Sequence, residues 1–151
     1  MDNATYAATT GLLNRSGMVA LVDHRSDAVR TVAPRSLMVI DLDQFKEIND
    51  REGHLAGDRT LSDFGAALRS VIRPDDIAFR SGGDEFVLIL PRTDAAGAEG
   101  LAARLRTRIA LEWSYGLTEW RVGEDFDTAV ARADRLMYEQ KGARATSRGA
   151  S

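Results

Sequence analysis

The residues best placed to do chemistry are two acids that the chain separates by 43 positions, Asp41 and Asp84. Asp41 closes the apolar run Leu37-Met38-Val39-Ile40, and Asp84 follows Gly82-Gly83 and precedes Glu85 and the run Phe86-Val87-Leu88-Ile89-Leu90. Two glycines and two carboxylates between apolar runs predict a tight hairpin with acids at its tip. Such a hairpin can lie beside the strand that ends in Asp41, so the two carboxylates can meet. Hard oxygens with no His or Cys adjacent in sequence suit Mg2+ or Mn2+, which fills its remaining positions with water and phosphate. That is the equipment of phosphoryl or nucleotidyl transfer, in which metal neutralises charge on a leaving pyrophosphate and lowers the pKa of an attacking hydroxyl. Lys46, one helical turn past the end of that strand, is placed to position phosphates, and Asn49 and Asp58 offer hydrogen bonds to a base edge. Each feature alone has an ordinary reading: a surface hairpin, a solvated lysine, a cap or a turn residue.

Composition narrows the classes. The chain has 151 residues, 44% hydrophobic and 28% charged, enough for one domain with its own core. A net charge of -3 gives no general attraction for a polyanion, so duplex nucleic acid is not an expected partner, whereas a small nucleotide held by a metal and a few cations is compatible. Zero cysteines exclude a disulfide framework and a thiolate site. No apolar run has the length of a membrane span and no signal peptide opens the chain, which predicts a cytoplasmic domain, alone or as the cytosolic part of a larger sensor protein.

The elements that must position the acids follow from periodicity. Residues 1–9 read as a flexible lead-in. Leu12, Leu13, Met18, Val19 and Leu21 recur at helix spacing, predicting a helix from Thr10 to about Val29. Ser36 to Asp43 predicts a strand buried on both faces. A short helical stretch carries Phe45, Ile48 and Asn49, and Arg51 to Asp58, with two glycines, reads as a loop. Leu61, Phe64, Leu68, Val71 and Ile72 mark one face of a helix that stops before Pro74. Ile77 to Phe79 and Phe86 to Leu90 are the hairpin strands. Ala95 to about Glu112 reads as a helix and Trp113 to Trp120 as a fourth strand. A last helix, with Asp125 as N-cap, turns Phe126, Val130, Ala133 and Met137 inward. Residues 143–151 read as a disordered tail, leaving a domain over 10–142. The order predicts an α+β fold with helices on a central, mostly antiparallel sheet.

Asp41-Leu42-Asp43-Gln44-Phe45-Lys46-Glu47-Ile48-Asn49-Asp50, Gly53-His54-Leu55-Ala56-Gly57-Asp58 and Arg80-Ser81-Gly82-Gly83-Asp84-Glu85-Phe86 resemble, in order and spacing, the GGDEF family of diguanylate cyclases. Thr10-Gly11-Leu12-Leu13-Asn14-Arg15 and Ala133-Asp134-Arg135-Leu136-Met137-Tyr138 resemble its flanking motifs. The resemblance implies a palm-like fold akin to nucleotidyl cyclases. It also implies a bacterial signalling activity in which two domains, as a homodimer, join two GTP into cyclic di-GMP with release of pyrophosphate. It implies Mg2+ (or Mn2+) on Asp41, the Leu42 carbonyl and Asp84, with Asp84 also acting as base, Glu85 as a weaker metal or water ligand, and Lys46 and Lys141 on the phosphates. Asn49, His54 and Asp58 would line the guanine and ribose site, and Gly82 and Gly83 would let a triphosphate approach the backbone. Arg73 and Asp76 have the form and offset of the family's inhibitory product site, with Arg104 as its second arginine.

The sequence also departs from the resemblance. Almost nothing separates Ile109 from Trp113 where the family usually carries a hairpin, so a shortened C-terminal hairpin region is expected. Ala7 stands where an acid is common, Ser81 replaces an aromatic, and Arg144 is displaced by one position from the expected Gly-Arg. These changes bear on phosphate binding and fold stability more than on metal binding. The alternative is a catalytically weak or inactive module that binds GTP or cyclic di-GMP as a regulatory domain; a purely structural interaction domain is a third, weaker reading.

Overall fold

The computed structural model describes residues 10–24 and 32–150 of the chain. In chain order its elements are α1 (Arg15–His24), β1 (Arg35–Leu42), α2 (Phe45–Glu52), α3 (His54–Val71), β2 (Ile77–Arg80), β3 (Glu85–Pro91), α4 (Ala95–Arg108), β4 (Trp113–Glu119) and α5 (Phe126–Ala150). The strands form one antiparallel sheet of order β2-β3-β1-β4. Every residue of the central strand β1 is buried. That is why its sequence shows a continuous apolar run instead of alternation.

Side chains alternate between the two faces of a strand, and each face has its own core. Met38, Ile40, Leu42, Phe86 and Leu88 pack with Phe64 and Leu68 of α3 and with Leu101 and Leu105 of α4. The rings of Phe64 and Phe86 lie 4.9 Å apart, and Trp113 of β4 meets Phe64 edge-on at 6.2 Å. Leu37, Val39, Val87 and Ile89 face the other way, onto Met18 and Val22 of α1 and Ala129, Ala133 and Met137 of α5. Asp41 shares the parity of Leu37 and Val39, so it stands on the α5 face at the end of β1. That placement decides which helix can reach it.

β4 is an edge strand, and α5 closes tightly on it. A Cβ on Gly116 would run into the Ala133 carbonyl and the Met137 N–H, so the missing side chain lets helix and strand backbones meet. The Tyr115 N–H donates to Gln140 Oε1 at 2.9 Å, and Arg132 donates to the Glu119 carbonyl at 2.8 Å. These α5 side chains occupy edge groups that a further strand would otherwise pair. Only residues 109–112 connect α4 to β4, in line with the expected shortening.

Several boundaries differ from expectation. α1 begins at Arg15, not Thr10; the preceding residues are non-helical and turn through Gly11 at φ +71°, with the Leu12 N–H on Thr10 Oγ1 at 3.2 Å and the Arg80 N–H on the Leu13 carbonyl at 2.9 Å. Leu12 is thus a core residue of a non-helical segment, and Leu13 packs half-buried against the core of the opposite face. The expected loop from Arg51 to Asp58 is a single residue: α2 ends at Glu52, α3 begins at His54, and Gly53 turns the corner at φ +90°. Glycine adopts that conformation without the steric penalty of a Cβ. α4 ends at Arg108, ahead of Glu112, whose carbonyl accepts from the Asp43 N–H at 3.0 Å. α5 continues through 143–150, where a disordered tail was expected; its alanines there are good helix formers. The expected Asp125 cap is present, accepting from the Thr128 N–H at 3.1 Å. The lead-in 1–9 with Ala7, and the expected end of the first helix near Val29, lie outside the described residues.

One ion pair ties α5 to the linker that follows β4. Arg132 donates to both oxygens of Glu124 at 2.7 and 2.9 Å, and this charge-assisted bonding holds the Glu124 carboxyl down at about 2. Because the folded pKa is depressed, the stabilisation is present above the ordinary glutamate range and is lost as pH falls through about 2. Urea denaturation of Glu124→Gln is therefore expected to show a loss of roughly 2 kcal/mol at pH 7, with the difference from the parent narrowing as the pH is lowered toward 3.

Candidate functional site

The end of β1 and the turn between β2 and β3 meet. The Leu42 N–H donates to the Asp84 carbonyl at 3.2 Å, and Asp41 is the cross-strand partner of Glu85. Burial pushes the Asp41 carboxyl up to about 6, the neighbouring Asp84 charge adds to the rise, and Lys141 partly offsets it. Glu85 is also raised, first by burial and then by the charge of Asp134. The two acids singled out in the sequence thus share one electrostatic site.

The site's donor set fits a divalent cation. Asp41 Oδ1 is buried with no hydrogen-bond partner, beside a second carboxylate and next to the Leu42 peptide. A buried carboxylate oxygen without a partner is costly unless a cation satisfies it. Among the described residues no three His, Asp or Glu side chains converge as a ready-made metal cage, so an ion here would need water or a ligand's oxygens to complete its shell.

Positive charge comes from two directions. Lys46 is exposed on the first turn of α2. Lys141, on α5, lies 3.2 Å from Asp41 Oδ2. Arg144, three residues on, pairs with Asp43 Oδ2 at 3.2 Å. Asp43 is 2% exposed and also accepts from Ser114 Oγ at 2.8 Å. Sequence reasoning gave no role to Asp43, Ser114 or Asp134, whose Oδ1 is a further buried, unpartnered oxygen. The alternation of Asp41 and Asp43 was the available signal.

The corner between α2 and α3 assembles the expected nucleoside residues. Asn49 is half-buried on α2, and His54 and Asp58 are exposed and four apart on α3, on one helix face. A Cβ on Gly57 would collide with Asn49 Oδ1, so this glycine makes the room in which the Asn49 amide sits. Gly57→Ala should displace that amide, read as a shift of the Asn49 side-chain amide signals by NMR, with little loss of melting temperature.

Gly82 and Gly83 are exposed at the turn. A Cβ on Gly83 would meet nothing, and one on Gly82 would make only an ordinary contact with Glu85 Cβ at 3.8 Å. Packing does not require glycine here; the bare backbone leaves open space. Arg80 steadies the turn by donating to the Gly82 carbonyl at 3.0 Å and to the Gly83 carbonyl at 2.6 Å.

A separate cleft of about 350 Å³ brings Arg73, Asp76, Arg92 and Arg104 together with the start of α4. Asp76 is 7% exposed and accepts from the Arg73 backbone N–H at 2.8 Å, while the Arg73 guanidinium donates to the Pro91 carbonyl at 2.8 Å. The three residues singled out from spacing therefore line one cavity, away from Asp41.

Comparison with known proteins gives the same direction. The profile of the family described as "Diguanylate cyclase, GGDEF domain" matches residues 4–147. The chain is 36% identical to diguanylate cyclase DgcM of Escherichia coli K12, over 91% of this chain and 36% of that protein. It is 35% identical to cyclic di-GMP phosphodiesterase PdeR of the same organism, over 91% of this chain and 22% of that protein, so it spans about a third or less of either relative. The GGDEF domain of DgcB from Caulobacter crescentus, solved in complex with c-di-GMP, superposes with a TM-score of 0.85 at 26% identity, over 95% of this chain and 93% of that one. The sheet and its helices have the nucleotidyl-cyclase palm fold of these neighbours.

Proposed function

The chain belongs to the GGDEF domain family, and from that premise we propose that it is a diguanylate cyclase acting as a homodimer. The observation that carries the proposal is the meeting of Asp41 and Asp84 around a buried carboxylate oxygen that has no protein partner. Each copy presents one GTP. The 3′-hydroxyl oxygen of one forms a bond to the α-phosphorus of the other as the bond to pyrophosphate breaks, and the reciprocal step closes cyclic di-GMP with a second pyrophosphate released.

Asp41, the Leu42 carbonyl and Asp84 would hold Mg2+ or Mn2+, with Glu85 as a weaker metal or water ligand. When bound, the ion neutralises phosphate charge and lowers the pKa of the attacking hydroxyl. Asp84 accepts the hydroxyl proton at the turn. Lys46 and Lys141 bring positive charge to the phosphates, and Gly82 and Gly83 leave backbone exposed for close approach. Asn49 and His54 line the nucleoside, and the Asp58 carboxylate accepts from guanine N1–H and N2–H. Adenine has no matching donors, so only guanine gives the Asp58 carboxylate its pair of hydrogen bonds, and that difference favours GTP. Asp58→Asn is expected to erode the GTP-over-ATP ratio of kcat/KM.

Arg73, Asp76 and Arg104 form a proposed inhibitory site for the product. Guanidinium suits a guanine Hoogsteen edge or a phosphate, and carboxylate suits the Watson–Crick edge. Inhibition by added cyclic di-GMP should disappear in Arg73→Ala; an unchanged inhibition curve would sink the assignment.

The similarity to a protein named as a phosphodiesterase supports a second reading, a regulatory module that binds GTP or cyclic di-GMP without turnover. Incubation with GTP and Mg2+, with products identified by mass, separates the two. A cyclase yields cyclic di-GMP and pyrophosphate from GTP and nothing from ATP. GTP bound without turnover identifies the regulatory module.

A further inference from the structure

Arg144 is displaced by one position from the expected Gly-Arg, and it is already engaged. Its guanidinium is 3.2 Å from Asp43 Oδ2, a carboxylate whose side chain is fully buried. The other oxygen, Oδ1, accepts from Ser114 Oγ at 2.8 Å, and the Asp43 N–H donates to the Glu112 carbonyl at 3.0 Å. Both Asp43 oxygens are thus satisfied, whereas Asp41 keeps one buried oxygen without a partner. Asp43 joins segments that are 71 and 101 residues away in the chain.

The two acids and the two cations have matched spacings. Asp41 and Asp43 are two apart at the end of a strand, so they project to one side of it; Lys141 and Arg144 are three apart on α5, so they share a helix face. The result is a ladder with two rungs, Lys141 on Asp41 and Arg144 on Asp43, each at 3.2 Å. The Arg144 rung is closed, because its acid is buried and hydrogen-bonded on both oxygens. The Lys141 rung is open, because its acid retains a buried oxygen without a hydrogen-bond partner. Removing Arg144 from the pair strands the fully buried Asp43 charge away from water, even though the guanidinium itself is partly exposed. The pair therefore sets the register of α5 over the end of the sheet.

We propose that Asp43, Ser114 and Arg144 are a positioning device that holds α5 in register so that Lys141 stands at Asp41, and that Arg144 does not itself contact the substrate. The proposal rests on the cyclase reading for the purpose of Lys141, but the placement it asserts can be tested without turnover. The chain contains only two lysines, Lys46 and Lys141, so amine chemistry reports on them almost alone. Lys46 is exposed and serves as the internal reference.

Brief acetylation of the intact protein with an amine-selective ester, followed by peptide mapping by mass, gives the ratio of Lys141 to Lys46 labelling. In the parent the ratio is low. Arg144→Met is expected to raise it about threefold or more, Asp43→Asn to do the same, and the double variant to add nothing, as one device is lost in each; Arg144→Lys should restore a low ratio. If Asp43→Asn does not fold, as judged by circular dichroism, Arg144→Met at its partly exposed helix position still decides. An unchanged ratio in folded Arg144→Met overturns the proposal. In turnover, Lys141→Met with Arg144→Met should be no worse than Lys141→Met alone, and a further additive loss would show that Arg144 meets substrate directly and overturn it too. Absence of any turnover would fall on the cyclase reading, while the labelling ratio would still judge the positioning device.

Discussion

Asp41→Asn and Asp84→Ala are each expected to lower cyclic di-GMP formation by a factor on the order of 10²–10³ while the protein remains folded. Asp41 and Asp84 are two carboxylates sharing a site in which one oxygen has no protein partner, so their proximity is a cost in the metal-free chain. Asn at position 41 removes that like-charge contact, and the melting temperature without metal should stay level or rise. Loss of activity with retained or improved stability is the pattern of a group kept for chemistry and not for folding. The same geometry predicts a response to metal alone. Mg2+ or Mn2+ should raise the melting temperature of the parent by mass action, and Asp84→Ala should abolish that rise. A variant that lost activity only because it unfolded, or a parent indifferent to both ions, would count against the site.

Gly116→Ala should be the most damaging glycine-to-alanine change among the described residues, costing about 3 kcal/mol in urea denaturation. The added carbon would strike backbone, the Ala133 carbonyl and the Met137 N–H, and backbone has no rotamer by which to yield. α5 must then lift from β4 or the strand must bend. Either response loosens the bond from the Tyr115 N–H to Gln140 and the register that places Lys141 at Asp41. Activity should fall together with stability, in contrast to Asp41→Asn. Gly53→Ala, which strains a corner at φ +90° but adds a Cβ into open space, should cost less, about 1 kcal/mol.

What could be read from the residues depended on how locally each feature is encoded. β1 announced itself because burial on both faces leaves an uninterrupted apolar run. Asp41 and Asp84 could be paired in advance because a strand end and a hairpin tip are places that a sheet brings together. The cleft of Arg73, Asp76 and Arg104 followed from a spacing carried by the family resemblance, and the three residues do line one cavity. Features that depend on tertiary geometry were not legible. Leu12 and Leu13 have helical spacing yet belong to a non-helical segment, because the Leu13 carbonyl is taken by the Arg80 N–H. Two glycines suggested a loop where one makes a sharp corner and the other makes room for Asn49. Arg144 looked misplaced, since nothing in its neighbourhood in sequence announces a buried acid 101 residues earlier. The run of small residues after Gly142 reads equally as coil or helix, and the helix continues through it.

The most direct test of the account is the initial rate of cyclic di-GMP formation from GTP and Mg2+ as a function of protein concentration, with the product identified by mass. Two copies that each carry half of the reaction centre predict a rate per molecule that rises with concentration until the dimer saturates, and no product from Asp84→Ala at any concentration. No product from the parent even at the highest concentration, with GTP demonstrably bound, would contradict the account and leave a regulatory module.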